Sequence, residues 1–275
     1  MTATPFKKNN SYSELTPCKE LHPYIRCYWG SESPILQSAS NPVSELVIPD
    51  TCVDIIYDID YTNNTVTGGF CGINDCSFHT DNNETMGHMI STFAIRFYAW
   101  GAYAFADESL KATLNGYFDV GSRFEWLDSI LRPKLLELET LQEKVPFVEK
   151  LLIKRLSNAK ENTVVNNTIQ NILIHRGSLN VSSLAKDSFI STRQLERLFH
   201  EYVGVTLKKL SNLVRYQFLW RDILCEPNFD VLSAVHKYGY TDQSHLLREF
   251  KRYHSVDIHT AKTIAFNHVG NIQDI

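Results

Sequence analysis

Arg193, Arg197 and His200 are spaced four and three residues apart, which stacks them on one side of a helix. Ser244, Arg248 and Lys251 repeat those intervals at an offset of 51. Gln194, Gln243 and His245 flank the two stripes near their N-terminal ends. These side chains suit one kind of chemistry. Arg gives paired hydrogen bonds to guanine, Gln to adenine, and Lys reaches phosphate. Two such faces fit two helices lying in the major groove of duplex DNA. Arg193, Arg197, Gln243 and Arg248 are then the candidate base or groove contacts, with His200 and Lys251 on phosphate. A single basic helix face is usually only solvated surface. Two in register, each preceded by a helix and a turn, argue for a reading function.

The elements that must position these faces form a repeat. The copies read SSLAKDSFISTRQLERLFHEYVG and VLSAVHKYGYTDQSHLLREFKRYHS, within Val181 to Lys262. Ala185 superposes on Val235 at an offset of 50, and Leu195 on Leu246 and Phe199 on Phe250 at 51. One extra residue therefore enters at the second turn or the start of its following helix. Leu195, Leu198, Phe199 and Tyr202 share the side opposite the basic stripe, as Leu246, Phe250 and Tyr253 do in the second copy, and Leu195, Phe199, Leu246 and Phe250 are assigned to core. Between the copies, Leu207 to Cys225 reads as one helix of roughly 28 Å at 1.5 Å per residue. That length approaches the ~34 Å between successive major-groove faces on one side of DNA. Trp220, on this spacer, is expected to pack rather than stack on a base.

The upstream part has a different texture. Ile25–Trp29, Glu45–Ile48, Val53–Tyr57, Thr65–Thr67 and Ser91–Phe97 read as short strands, with Asn63-Asn64 as a turn, and residues 1–20 as a loose lead-in. Strands so spaced suggest a barrel or sandwich. Phe124–Leu131 and Leu141–Leu156 then read as helices. The polar run from Ser157 to Asn162 reads as a linker, and Val164 to His175 as a helix closed by Gly177. The expected class is α+β: a β-rich barrel or half-barrel domain with trailing helices over 1–157, a linker at 158–163, and an all-α domain with two helix-turn-helix units over 164–275.

Composition sets limits. Net charge is −4, but residues 1–160 carry 14 Lys/Arg against 20 Asp/Glu, and the remainder 13 against 11. DNA contact must therefore come from placement of charge rather than its sum. No apolar run reaches membrane-spanning length and there is no secretory h-region, so the cytoplasm is the expected compartment. Six irregularly spaced cysteines do not resemble a disulfide framework. Cys71 and Cys76 with His79 and His88 lack standard zinc spacing, so no metal and no cofactor are expected. Thiol sensing by Cys52, Cys71 or Cys76 stays open. The carboxylates Asp50, Asp54, Asp58 and Asp60 lack a nucleophile motif, so no enzyme is expected. Trp29, Tyr57, Phe93, Trp100 and Tyr103 are candidates to line an effector pocket, with Arg96 as charge anchor. The same aromatics would equally fill a small β-domain core.

The stretches GYTDQSHLLREFKRYHS and LAKDSFISTRQLERLF resemble the AraC/XylS family of bacterial transcription regulators, over about 100 residues from near Thr168 to Thr263. The resemblance implies a seven-helix DNA-binding domain, contact with double-stranded promoter DNA, and action through RNA polymerase. It also implies a homodimer contact on one of the trailing helices, for which packing within the domain is the alternative. A weaker likeness to the family's sensing domains rests on Ile25–Trp29, LVIPDTCVDIIYDI, Gly69–Gly72 and STFAIRFYAWGAYAF. Phe189 departs from the family's small turn residue, Val235 from its Ala, Ser255 from a Gly, and Leu207 and Ile258 from Pro. The expected function is a DNA-binding regulator with an effector- or partner-sensing N-terminal domain. The rival is a ligand-binding or interaction scaffold whose repeat no longer binds DNA.

Overall fold

The computed structural model describes residues 12–36, 45–80 and 87–268. In chain order the strands are β1 (Tyr12–Leu15), β2 (Ile25–Ser31), β3 (Ile35–Leu36), β4 (Glu45–Val47), β5 (Cys52–Asp60), β6 (Thr65–Cys71), β7 (Phe78–Thr80), β8 (Met89–Tyr98) and β9 (Tyr117–Asp119). The main antiparallel sheet has the order β1-β2-β8-β5-β6-β9, with β3 also on β8, while β4 and β7 form a separate pair. Its outermost strands β1 and β9 do not pair with each other, so the domain is an open sheet and not a closed barrel. Part of the stretch expected to be loose forms β1, with Leu15 opposite Tyr28. A four-residue edge strand is too short to show an alternation.

Helices take over the burial that barrel closure would provide. Tyr57 pairs with Phe93, Ile55 with Ile95 and Val53 with Phe97, which puts all six on one face. Helices α1 (Gly121–Leu131) and α2 (Leu141–Leu156) supply Phe124, Leu127, Val148 and Leu152 to the same core. Phe124 lies 5.3 Å from the Phe70 ring and stacks at 6.1 Å on Phe97. Thr140 starts α2 with a capping box closed by Glu143.

Residues 157–162 join α2 to the remaining helices: α3 (Thr163–Ile174), α4 (Val181–Asp187), α5 (Thr192–Tyr202), α6 (Leu207–Cys225), α7 (Val231–Tyr238), α8 (Gln243–His254) and α9 (Ile258–His268). Among the described residues these are seven, the number implied by the family resemblance. The last residues assigned to this part, 269–275, lie outside the described residues. Gly177, at φ +72°, closes α3 through its N–H to the Ile172 carbonyl at 2.8 Å.

Candidate nucleic-acid interface

The first unit is α4, a turn and α5. Asn180 caps α4, and Ser191 caps α5 in a capping box whose second arm is Gln194. Gln194 is thus exposed but already accepts hydrogen bonds from Ser191 through its amide oxygen. Leu195 and Phe199 are fully buried, Arg193 and Arg197 are exposed, and His200 is half-buried. In the second unit, α7 and α8, Leu246, Phe250 and Tyr253 are buried while Gln243, Ser244, Arg248 and Lys251 are exposed. Arg248 donates to the Ser244 carbonyl at 3.2 Å. His245 is half-buried, edge-on to Tyr240 at 5.3 Å. The side chains cluster as two outward stripes, each seated on an apolar ladder. The N-caps Ser191 and Asp242 keep the offset of 51 and the starts of α4 and α7 keep 50, so the extra residue is in the second turn, before the cap.

The spacer α6 spans the 19 residues expected. It carries a polar network that apolar periodicity does not reveal. Arg215 binds Glu249 of α8 at 2.7 and 3.0 Å, Tyr240 donates to the same carboxylate at 2.9 Å, and the Arg215 guanidinium lies 4.3 Å from the Tyr240 ring centre. Asp222 receives Lys237 at 2.7 Å and the Tyr238 hydroxyl from α7. Burial works against the Asp222 carboxylate, but hydrogen bonds from Lys237 and Tyr238 hold it below the usual carboxylate range. His254 accepts or donates at 2.8 Å to Tyr216 and stacks on Phe250, and burial pulls its pKa down to about 4. Trp220 packs on Phe250 and His254, as expected. The one signal for these residues in sequence is a charge at an otherwise apolar position of the α6 wheel.

Phe189 and Ser255, two of the departures from the family pattern, both adopt positive φ. Gly239 sits at φ +67° and Phe189 at φ +55°, with the Phe189 side chain 95% exposed. Both positions need the left-handed region, which a residue with a Cβ enters at a cost. Ser255 takes φ +64° where the family has Gly. Leu207 keeps an N–H that Pro would lack, and it donates to Glu196 at 3.2 Å. Val235 is buried without disturbing α7.

A family model described as a helix-turn-helix domain matches residues 184–260. Residues 184–260 are therefore a helix-turn-helix domain. A second model, described as a domain of unknown function, matches residues 13–119. No curated protein matches the chain. Among solved structures, this helix-turn-helix domain is similar to the C-terminal domain of AraT, a response regulator from Geobacillus stearothermophilus, at 18% identity over 38% of this chain and 86% of that one, TM-score 0.35. It is also similar to the DNA-binding domain of AdpA in complex with a target DNA, at 16% identity over 38% and 93%, TM-score 0.35. ToxT from Vibrio cholerae O395 is similar at 11% identity over 89% of this chain and 99% of that one, TM-score 0.40. The two exposed stripes lie on the outward faces of α5 and α8 within the matched helix-turn-helix domain.

The six effector candidates do not converge. Tyr57 and Phe93 point into the core and are fully buried. Trp29 and Arg96 lie on the opposite face of the sheet, where Asp54 receives the Trp29 indole at 2.8 Å and the Arg96 guanidinium at 2.9 and 3.1 Å. Arg96 therefore spends its charge on Asp54, with Asp50 3.8 Å away, and is no free anchor. Trp100 stacks on Tyr98 at 4.7 Å, and Tyr103 lies 4.2 Å from Tyr202 of α5. Aromatic abundance grouped these residues, but strand alternation sets Tyr57 and Phe93 apart from Trp29 and Arg96. Burial holds Cys52 well above the ordinary thiol pKa and raises Cys71 to about 11, so both stay protonated at neutral pH. Among the described residues, no helix is long and apolar enough to cross a membrane.

Proposed function

We propose that this chain is a sequence-specific regulator of transcription that reads two half-sites on one side of promoter DNA, with α5 in one major groove and α8 in the next. The N-terminal domain is the part that governs this reading. The supporting observation is the pair of outward stripes, Arg193–Arg197–His200 and Ser244–Arg248–Lys251, exposed or half-exposed on buried ladders and joined by a 19-residue helix. A helix of that length fits adjacent grooves without a second copy of the chain. Selection of bound sequences from a random duplex pool tests this. The expected result is two motifs about one helical turn apart, bound with an affinity that falls steeply with salt. Recovery of no motif, with salt-independent binding, overturns the proposal.

A further inference from the structure

The C-terminal ends of the two reading helices touch the same edge of the N-terminal domain. Two loops make that edge, residues 72–77 after β6 and residues 105–116 before β9. They are stitched together. Gly72 N–H donates to the Gly116 carbonyl at 3.0 Å and Asn115 N–H to the Ile73 carbonyl at 2.8 Å. The Asn115 side chain receives the Asp75 N–H at 2.8 Å and donates to the Asp75 carboxylate at 2.6 Å.

This edge completes the first unit. The carbonyls in the last turn of a helix have no partner within it. That of Glu201, in the last turn of α5, receives the Leu110 N–H at 3.0 Å and the Ser109 hydroxyl at 3.4 Å. Gly204, at φ +82°, follows so closely that a Cβ there would stand 2.5 Å from the Thr113 hydroxyl and 2.6 Å from the Leu110 carbonyl. Asp75 forms an ion pair with Lys209 in the first turn of α6. Ser77 hydrogen-bonds Ser255, the residue that ends α8. All these contacts fall at helix ends, and the stripes that face outward stay free of them.

We propose that Asp75 and Asn115 are positioning residues for DNA recognition, joining the two loops into one bracket that sets the distance between the half-sites the protein reads. This rests on the DNA-reading function proposed above. The spacer ties the second unit firmly through Arg215 and Asp222, besides the Ser77–Ser255 bond. The first unit takes its helix end from the N-terminal domain, so the pose of α5 relative to α8 follows the bracket. A signal that moves either loop is thereby delivered to both units together.

Hydrogen exchange on the full-length chain tests the bracket without DNA. Asn115→Ala should speed exchange at 201–205 and 251–256 together, while the core of α1 and α2 keeps its protection. Asp75→Asn, which leaves the Asp75 N–H bond to Asn115 in place, should do the same more weakly and serves if the first variant misfolds. A change confined to 72–76 and 113–116, or to one unit, overturns the bracket. The second arm uses duplexes selected by the wild-type chain, with half-site separation altered by one or two base pairs. Asp75→Asn, Lys209→Met and the double variant should each lose about fivefold of the discrimination between separations, and by the same amount, because one link is cut in all three. Retained discrimination overturns the positioning role, as does a Lys209→Met loss that is equal at every separation, which would make Lys209 a phosphate contact. If the wild-type chain binds no duplex while its helix ends stay coupled in exchange, the DNA reading fails and the bracket stands.

Discussion

The first helix-turn-helix unit turns on Phe189 and leans on the N-terminal domain, whereas the second turns on Gly239 and is tied to the spacer by buried charge. The ladders beneath them are nearly the same, Leu195 and Phe199 against Leu246 and Phe250. The difference lies in what surrounds the ladders. Arg215, Glu249 and Tyr240 make the spacer and second unit a single body. The first unit meets the spacer through the Leu207 N–H bond to Glu196 at 3.2 Å, with no ion pair to it among the described residues, and its helix end is finished by Leu110 and Ser109. One repeat has thus been given two attachments, rigid for one copy and conditional on the other domain for its partner. On the function proposed above, this asymmetry leaves the N-terminal domain one unit to adjust.

Removing the rigid attachment should have the largest effect. Glu249→Ala leaves the Arg215 charge buried without its carboxylate and should destabilise the chain by about 3 kcal/mol, measured by urea unfolding. Asp75→Asn, at a more open ion pair with side chains 29% and 17% exposed, should cost no more than about 1 kcal/mol. Equal costs would erase the contrast between the two attachments.

Acid should loosen the second unit before the first. The His254 pKa lies near 4 in the folded chain because burial disfavours its cation, against an ordinary value of 6.5. Between these values the unfolded chain binds the extra proton, so stability is intact above pH 6.5 and falls as the pH drops towards 4. The slope from this group approaches about 1.4 kcal/mol per pH unit. Denaturant midpoints from pH 7 to 4 should show it, and His254→Phe should flatten that part of the curve. An unchanged slope in the variant would remove His254 from the account.

The turns should respond least and in opposite directions. Phe189→Gly relieves a left-handed φ at an exposed site and should raise stability by about 1 kcal/mol, while Gly239→Ala should lower it by a similar amount. Thermal unfolding of both variants checks the sign. A destabilised Phe189→Gly would mean that the phenyl ring does something in the first unit that its 95% exposure does not suggest.

Much of the C-terminal part was legible because its pattern is written twice. The offsets of 50 and 51, the buried ladders, the 19-residue spacer and the closing Gly177 all come from periodicity and capping, which are local. The N-terminal part was legible as strands and two trailing helices, but not in how its sheet is arranged. Whether a sheet closes depends on which edges pair, and nothing in the residues of β1 and β9 announces that they stay apart. The effector candidates lie apart for a related reason. Aromatic content says that a core exists, but Tyr57 and Phe93 take one face of the sheet and Trp29 and Arg96 the other. The contacts of Asp75, Asn115 and Glu201 join residues far apart in the chain through polar atoms, and no periodicity carries that information.

The central claim is that the two outward stripes read base pairs, and binding by Arg197→Ala and Arg248→Ala to the duplex selected by the wild-type chain tests it most directly. Each substitution should cost about 1–3 kcal/mol and relax base preference in one half-site only, a different one for each variant. Wild-type affinity and unchanged preference in both variants would contradict it.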